Sequence, residues 1–177
     1  MYHVGGDKRQ ERSAALICAS LEKLAERSGY SGITITQLAT EAGVGRATFY
    51  RLFDDKDDVV LYQMEQVFEE LLSRFGPESD HDEVLLALLE AWFNRRSLFK
   101  SLINAWLYEG FQARLVEMLE IKLLAVKEEM RLDDRSWRYF AHMRAGMLFG
   151  ALKVAITHYP EDTPESVILS MKRLFGR

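Results

Sequence analysis

Cysteine is almost missing from this chain. Cys18 is the single one among 177 residues, so no intrachain disulfide can form, and a reduced, cytoplasmic compartment is the default expectation. It falls on an apolar helical face and reads as a small core residue rather than a reactive thiol. Proline is scarce as well, with three residues, so little in the chain interrupts a helix. Alternating β-branched runs are rare, which removes the usual signal for strands. The start, Met1-Tyr2-His3-Val4-Gly5-Gly6-Asp7, lacks the apolar core of a secretory signal. No run of about 18 uncharged apolar residues is available to span a membrane.

Catalytic signatures are absent too. His3, His81, His142 and His158 are scattered, with no pair four residues apart and no pair of Glu-x-x-His motifs to hold two metal ions. There is no glycine-rich phosphate loop and no Ser/His/Asp set with a local signature. The expectation is a chain with no metal, no cofactor and no catalytic site, hence not an enzyme.

What the chain does hold is helix-forming material. Apolar residues make up 48% and charged residues 28%, an ordinary globular balance. Leu, Ala, Glu, Lys and Met, all good helix formers, dominate. The net charge of −4 argues at first against nucleic acid, but its distribution counts for more than its sum. Residues 1–56 carry eight Lys/Arg against seven Asp/Glu, and residues 57–177 carry fifteen against twenty. The asymmetry favours a polyanion partner for the first part, though weakly.

Periodicity predicts helices almost throughout. The first spans about Lys8 to Ser28, with Ala14, Ile17, Cys18, Leu21, Leu24 and Ala25 as its buried stripe and Gly29 as its stop. Thr34 and Gln37 form a capping box that opens a short helix ending at Ala42-Gly43-Val44-Gly45. A second short helix, Arg46 to Phe53, follows. Asp54-Asp55-Lys56-Asp57 starts a longer one that ends near Phe75. Gly76-Pro77-Glu78-Ser79 is the strongest break. Beyond it, helices are expected from the Asp80 cap to about Arg95, then over Leu98–Trp106, Glu109–Arg131, Ser136–Tyr159 and Pro164–Phe175. Thr163 caps the last of these and Pro164 takes its first position.

Residues 34–53 carry the functional signal. Leu38, Ala39, Ala42, Val44, Phe49 and Leu52 can be buried together only if two short helices cross steeply at a tight turn. Gly43 tolerates the positive φ that such a turn requires. This is a helix-turn-helix, and its second helix is the one that reads DNA. Gly45, Arg46, Ala47, Thr48, Tyr50 and Arg51 fall on its outward side. Arg46 can reach guanine or a phosphate, Thr48 a base edge or a thymine methyl, and Ala47 permits close approach. Tyr50, Arg51, Lys56, and Thr34 and Thr36 at the preceding helix N-terminus, suit phosphates.

Gly29-Tyr30, Thr34-Ile35, Leu38-Ala39, Ala42-Gly43-Val44, Thr48-Phe49-Tyr50-Arg51-Leu52-Phe53 and Lys56-Asp57 together closely resemble the tetracycline-repressor (TetR) family, over roughly residues 10–65. Gly45 departs from the pattern, which more often has Ser as the cap of the reading helix; the difference is worth about 0.5 kcal/mol. The resemblance implies an all-α chain of about nine helices, with a three-helix DNA-binding domain at 8–56 and a helical regulatory and dimerisation domain at 57–177. It also implies a homodimer on a palindromic double-stranded operator, released by a small-molecule effector, with no membrane partner. Two half-sites about 34 Å apart would multiply the weak specificity of one short helix.

Candidate effector-lining residues are Trp92, Asn104, Trp106, Phe111, Tyr139, His142 and Met143, whose aromatic content favours an apolar or aromatic ligand. Gly146 and Gly150 lie four apart on one helical face, each costing about 1 kcal/mol against Ala. Close helix approach would explain them. With Val154, Ile168, Met171 and Leu174 they are the candidate dimer contacts, packing within one subunit being the alternative for the glycines. Leu98-Phe99-Lys100-Ser101-Leu102 and Gly150-Ala151-Leu152-Lys153 are similar to a subgroup linked to dihydroxyacetone-kinase regulation, in which a protein partner replaces a small inducer. A regulator without a small ligand is therefore the competing reading, and a helical interaction protein that has lost DNA binding is a third.

Overall fold

The computed structural model describes residues 2–75 and 79–175, so the Gly76-Pro77-Glu78 part of the expected break lies outside the described residues. Among the described residues there are ten α-helices, one 3-10 turn and no strand. The helices are α1 (Lys8–Ser28), α2 (Ile35–Glu41), α3 (Arg46–Leu52), α4 (Lys56–Arg74), α5 (His81–Phe93), α6 (Arg96–Asn104), α7 (Tyr108–Lys122), α8 (Leu124–Glu129), α9 (Asp134–His158) and α10 (Pro164–Phe175), with the 3-10 turn at Tyr30–Gly32. No helix among the described residues is long and apolar enough to cross a membrane.

Packing divides the chain into two units, Met1–Gln66 with Ser97–Ala105, and Val67–Arg96 with Trp106–Arg177. The division falls inside α4, ten residues beyond the boundary drawn from the sequence, and it gives α6 to the first unit. Val59, Val60 and Met64 of α4 and Leu98, Phe99 and Leu102 of α6 are buried.

In that unit α1 packs on α2 and α3. Asp7 caps α1 by accepting the Arg9 backbone N–H at 2.9 Å, and Gly29, at φ 72° and ψ 152°, ends it. Ala14, Ile17, Cys18, Leu21 and Ala25 are buried along one face of α1; Leu24, expected with them, is half-buried. Tyr30, Leu38, Phe49, Leu52 and Phe53 fill the space below. Each such side chain contributes roughly 1.5–3 kcal/mol by leaving water.

In the second unit α7 packs on α9 and α5 on α10. The inner face of α9 is Trp137, Ala141, Ala145, Leu148, Phe149, Leu152, Ala155 and Ile156. Tyr108 donates its hydroxyl to the Phe149 carbonyl, and Trp137 Nε1 donates to the Glu120 carbonyl at 3.2 Å. Arg96 holds the connection between α9 and α10, donating to the carbonyls of Pro160 and Asp162 while its guanidinium lies 4.7 Å from the Phe93 ring centre.

One expected helix is two. Glu109–Arg131 reads as continuous, yet Leu123 leaves the helical region at φ −105° and ψ 28°, and α8 starts afresh behind it. No glycine or proline marks the place.

Candidate nucleic-acid interface

The site is built from two short helices and the turn between them. α2 is opened by the capping box that the sequence spells out. Thr34 Oγ1 accepts the Gln37 backbone N–H at 3.2 Å, and Gln37 Oε1 accepts the Thr34 N–H at 2.9 Å. The helix closes on Gly43, whose φ is 65°. Gly43 donates its N–H to the Thr40 carbonyl at 3.1 Å and Val44 donates to the Ala39 carbonyl at 3.0 Å. This pair of bonds is a Schellman end, which places its αL residue at Gly43. Gly45 then caps α3 from an extended backbone without a side-chain bond, its carbonyl accepting the N–H groups of Thr48 and Phe49 at 2.8 and 3.0 Å.

The turn makes α3 two-sided. Phe49 and Leu52 face inward with no exposure, against Leu38 of α2. Gly45, Arg46, Ala47, Tyr50 and Arg51 are exposed and Thr48 is half-buried. Tyr50 is 46% exposed, with its ring edge-on to Phe49 at 5.7 Å and the Arg46 guanidinium 5.9 Å from its ring centre. Among the described residues neither Arg46 nor Arg51 has an ion-pair partner, so two unneutralised guanidinium groups stand on one short face. Thr34 and Thr36 are exposed at the start of α2.

Lys56 departs from the expectation of a phosphate contact. Its Nζ is committed to three backbone carbonyls, those of Tyr30, Ile33 and Ser31, at 2.9, 3.1 and 3.3 Å. Beside it Asp57 accepts the Tyr30 hydroxyl. Burial first, and the Asp57 carboxylate next, push the Tyr30 phenol above its ordinary value. Two further features escaped the sequence. The His3 N–H donates to the Leu52 carbonyl at 2.8 Å, so the N-terminal segment satisfies an otherwise open carbonyl at the end of α3. His3 Nε2 also lies 3.0 Å from Asp54, and Tyr2 packs edge-on against Tyr62 at 5.3 Å. The aromatic and His residues at positions 2 and 3 were the available signal.

The candidate effector residues differ in their exposure. Trp92 and Phe111 are buried, Trp92 standing 6.4 Å from Phe149. Trp106 is 93% exposed at a φ of 61°, and Tyr139 and Met143 are 61% and 70% exposed. His142 is exposed, and Asn104 is exposed at the end of α6. Residue type had suggested a lining, but the helical phase of Tyr139 and Met143 turns them outward.

Of the candidate dimer residues, Gly150, Val154 and Leu174 are exposed, and Gly146 and Met171 are half-buried. Gly146 faces α7 of its own chain, since a Cβ there would meet Gln112 Nε2 at 3.6 Å, whereas one on Gly150 would meet open space. Ile168 is buried, in a shallow groove of about 330 Å³ between α5 and α10 that Leu86 and Leu169 line with Asp82, Glu83, Glu165 and Lys172.

Residues 17–62, which hold the whole helix-turn-helix, match the family model for bacterial regulatory proteins of the tetR family. The DNA-binding part of the chain is that of a TetR-family transcriptional regulator. The chain is similar over 171 residues to the nucleoid occlusion factor SlmA of Vibrio cholerae, at 25% identity, covering 88% of this chain and 87% of the relative. In fold it is similar to the dihydroxyacetone kinase operon activator DhaS, at a TM-score of 0.64 and 16% identity, covering 92% of this chain and 93% of that one. Thermus thermophilus FadR, a TetR-family transcriptional repressor solved with lauroyl-CoA, gives a TM-score of 0.60 at 20% identity, covering 92% and 93%. The likeness in fold thus extends over about 92% of the chain, while the match to the family model covers the helix-turn-helix and its flanks.

Proposed function

We propose that this regulator binds a palindromic operator as a homodimer, represses from it, and is released by an apolar or aromatic small molecule. The observation that carries the DNA-binding part is the division of α3. Phe49 and Leu52 are sealed inside while Arg46, Ala47, Tyr50 and Arg51 stand outside without a neutralising partner. A short exposed helix with two arginines and an aromatic matches a major groove and its flanking phosphates.

The homodimer rests on α9. Tyr139, Met143, Met147, Gly150 and Val154 follow one another at steps of four, four, three and four, so they share one face, and that face is opposite the buried one. A helix apolar on two faces has a second surface to cover. Leu169 and Leu174 of α10 are exposed apolar residues as well. In this reading Tyr139 and Met143 belong to the dimer face rather than to an effector pocket.

Effector release is a population shift. The ligand favours a state in which the two reading helices no longer fit successive grooves. The lauroyl-CoA held by the FadR structure supports an apolar acyl ligand as the first compound to try. A regulator without a small inducer is the second reading, favoured by the packing of Trp92, one of the expected lining residues, against Phe149, which Tyr108 meets from its own side.

The test is a fluorescence-anisotropy titration against duplex DNA from upstream of the chain's own gene. Affinity should fall as salt rises, and Arg51→Ala should weaken it about tenfold, the scale of one good contact. Binding unchanged by both would remove the assignment. Dissociation of the complex by lauroyl-CoA, whose acyl chain is its apolar part, and by an uncharged apolar or aromatic compound separates the first reading from the second.

A further inference from the structure

Lys56 is the first residue of α4, and its ammonium points into the protein. It stands 4.5 Å from the Tyr30 ring centre, beneath three carbonyls contributed by Tyr30, Ser31 and Ile33. An ammonium has three N–H bonds, so each has an acceptor and none is left for a phosphate. The three carbonyls belong to the 3-10 turn and the residue that follows it; that of Tyr30 also accepts the Ile33 N–H at 3.2 Å, while those of Ser31 and Ile33 are groups that a helix end leaves open. Ile33 is followed directly by Thr34, the cap of α2. The neighbouring Asp57 takes the Tyr30 hydroxyl from the other side.

We propose that Lys56 is a positioning residue for DNA recognition: it locks the first turn of α4 to the segment that launches the helix-turn-helix, and makes no phosphate contact itself. Swinging out to a phosphate would take one donor from each of three carbonyls, of which that of Tyr30 keeps the Ile33 N–H, and would abandon the Tyr30 ring. Because the lock closes one residue ahead of the α2 cap, any displacement of the first turn of α4 moves α2, and through the Gly43 turn it moves α3. Effector-driven motion of α4 therefore reaches the reading helix through Lys56 and Tyr30. Only this consequence rests on the DNA-binding reading; the lock itself does not.

Full-length Lys56→Met, Lys56→Gln and Lys56→Arg separate the possibilities through two readouts. The first is amide hydrogen exchange in the DNA-free protein. Exchange over residues 33–38 should rise about tenfold in Lys56→Met, the effect of losing a buried donor, with α9 unchanged and with partial recovery in Lys56→Arg. The second is binding to an arbitrary duplex of about 30 base pairs over a range of salt, well below the unfolding midpoint. Lys56→Met should weaken binding about tenfold with the salt slope unchanged, whereas Arg51→Ala should lower the slope by about one. If Lys56→Met does not fold, Lys56→Gln, which keeps two donors, takes its place. A slope lowered by about one with exchange unaltered would make Lys56 a phosphate contact and overturn the proposal. Unaltered exchange together with unaltered affinity would do the same. Should the wild-type protein ignore both this duplex and the DNA upstream of its own gene, the DNA-binding reading falls while the exchange data still decide the lock.

Discussion

Gly43 and Arg131 solve the same backbone problem with opposite residues. Both sit at positive φ, 65° and 52°. Both close a helix with the same pair of bonds: Val44 to Ala39 and Gly43 to Thr40 in one case, Leu132 to Lys127 and Arg131 to Glu128 in the other. Left-handed backbone costs a residue with a Cβ about 1–2 kcal/mol. A Cβ on Gly43 would meet nothing within 4 Å, so Gly43→Ala should cost that backbone penalty alone, and Gly43→Asn less. Arg131 is exposed, so Arg131→Gly should stabilise the protein by up to about 1 kcal/mol. Urea unfolding midpoints check both, and a loss of stability in Arg131→Gly would show that its side chain matters more than its backbone. The two faces of α3 make a second contrast. Phe49→Ala should cost about 3–5 kcal/mol, because the ring is fully buried. Arg51→Ala should leave the midpoint within about 0.5 kcal/mol while weakening DNA.

At the scale of elements, legibility followed the local chemistry. The bounds of α1 and α10 could be read from Gly29 and from Thr163-Pro164 because caps and stops are written in adjacent residues. The split between α7 and α8 could not, since Ile121-Lys122-Leu123-Leu124 holds no breaker. The outward side of α3 was readable because a short helix cannot hide five polar or small side chains. The inward turn of Lys56 was not, because backbone carbonyls, which every residue has, are its acceptors. The aromatics of the second unit announced burial by their type, yet type is silent about phase, and α9 carries apolar residues on both faces. That two-faced helix makes its own prediction. Met143→Glu, at a site 70% exposed in the single chain, should leave the folded protomer intact and shift sedimentation from dimer to monomer, since an unpaired carboxylate buried in an apolar contact costs several kcal/mol. A wild-type chain that sediments as a monomer would remove the dimer face. Ala substitution at the inward Leu148 should instead unfold the protomer, at about 2–5 kcal/mol.

For the whole molecule, acid should be the solvent condition that separates its stabilising contacts. Among the carboxyls held below their ordinary range are the exposed Asp133, Asp134 and Glu165 and the half-buried Glu41. Lys23 holds Glu41 down, with Arg27 adding to it at 3.7 Å; Lys127 does the same for Asp134. At helix starts, the Ser136 backbone N–H lowers Asp133, and the Thr163 side chain lowers Glu165. A carboxyl that binds its proton more weakly in the folded state is protonated first in the unfolded chain. Its contribution is therefore intact above the ordinary carboxylate range, and is lost as pH falls through about 4 towards the lowered values. The urea midpoint should accordingly be level from neutral pH down to about 5.5 and decline below about 4.5. Added salt should then divide the four. It screens the Lys23 and Lys127 pairs, while the hydrogen bonds at Asp133 and Glu165 persist because they lie within one turn and need no distant charge. Repeated in high salt, the pH profile should keep the part of its acid slope that Asp133→Asn and Glu165→Gln remove, and lose the part that Glu41→Gln removes. A midpoint that rises on acidification, or an acid slope that none of these substitutions alters, would mean that the acid sensitivity of the fold arises elsewhere.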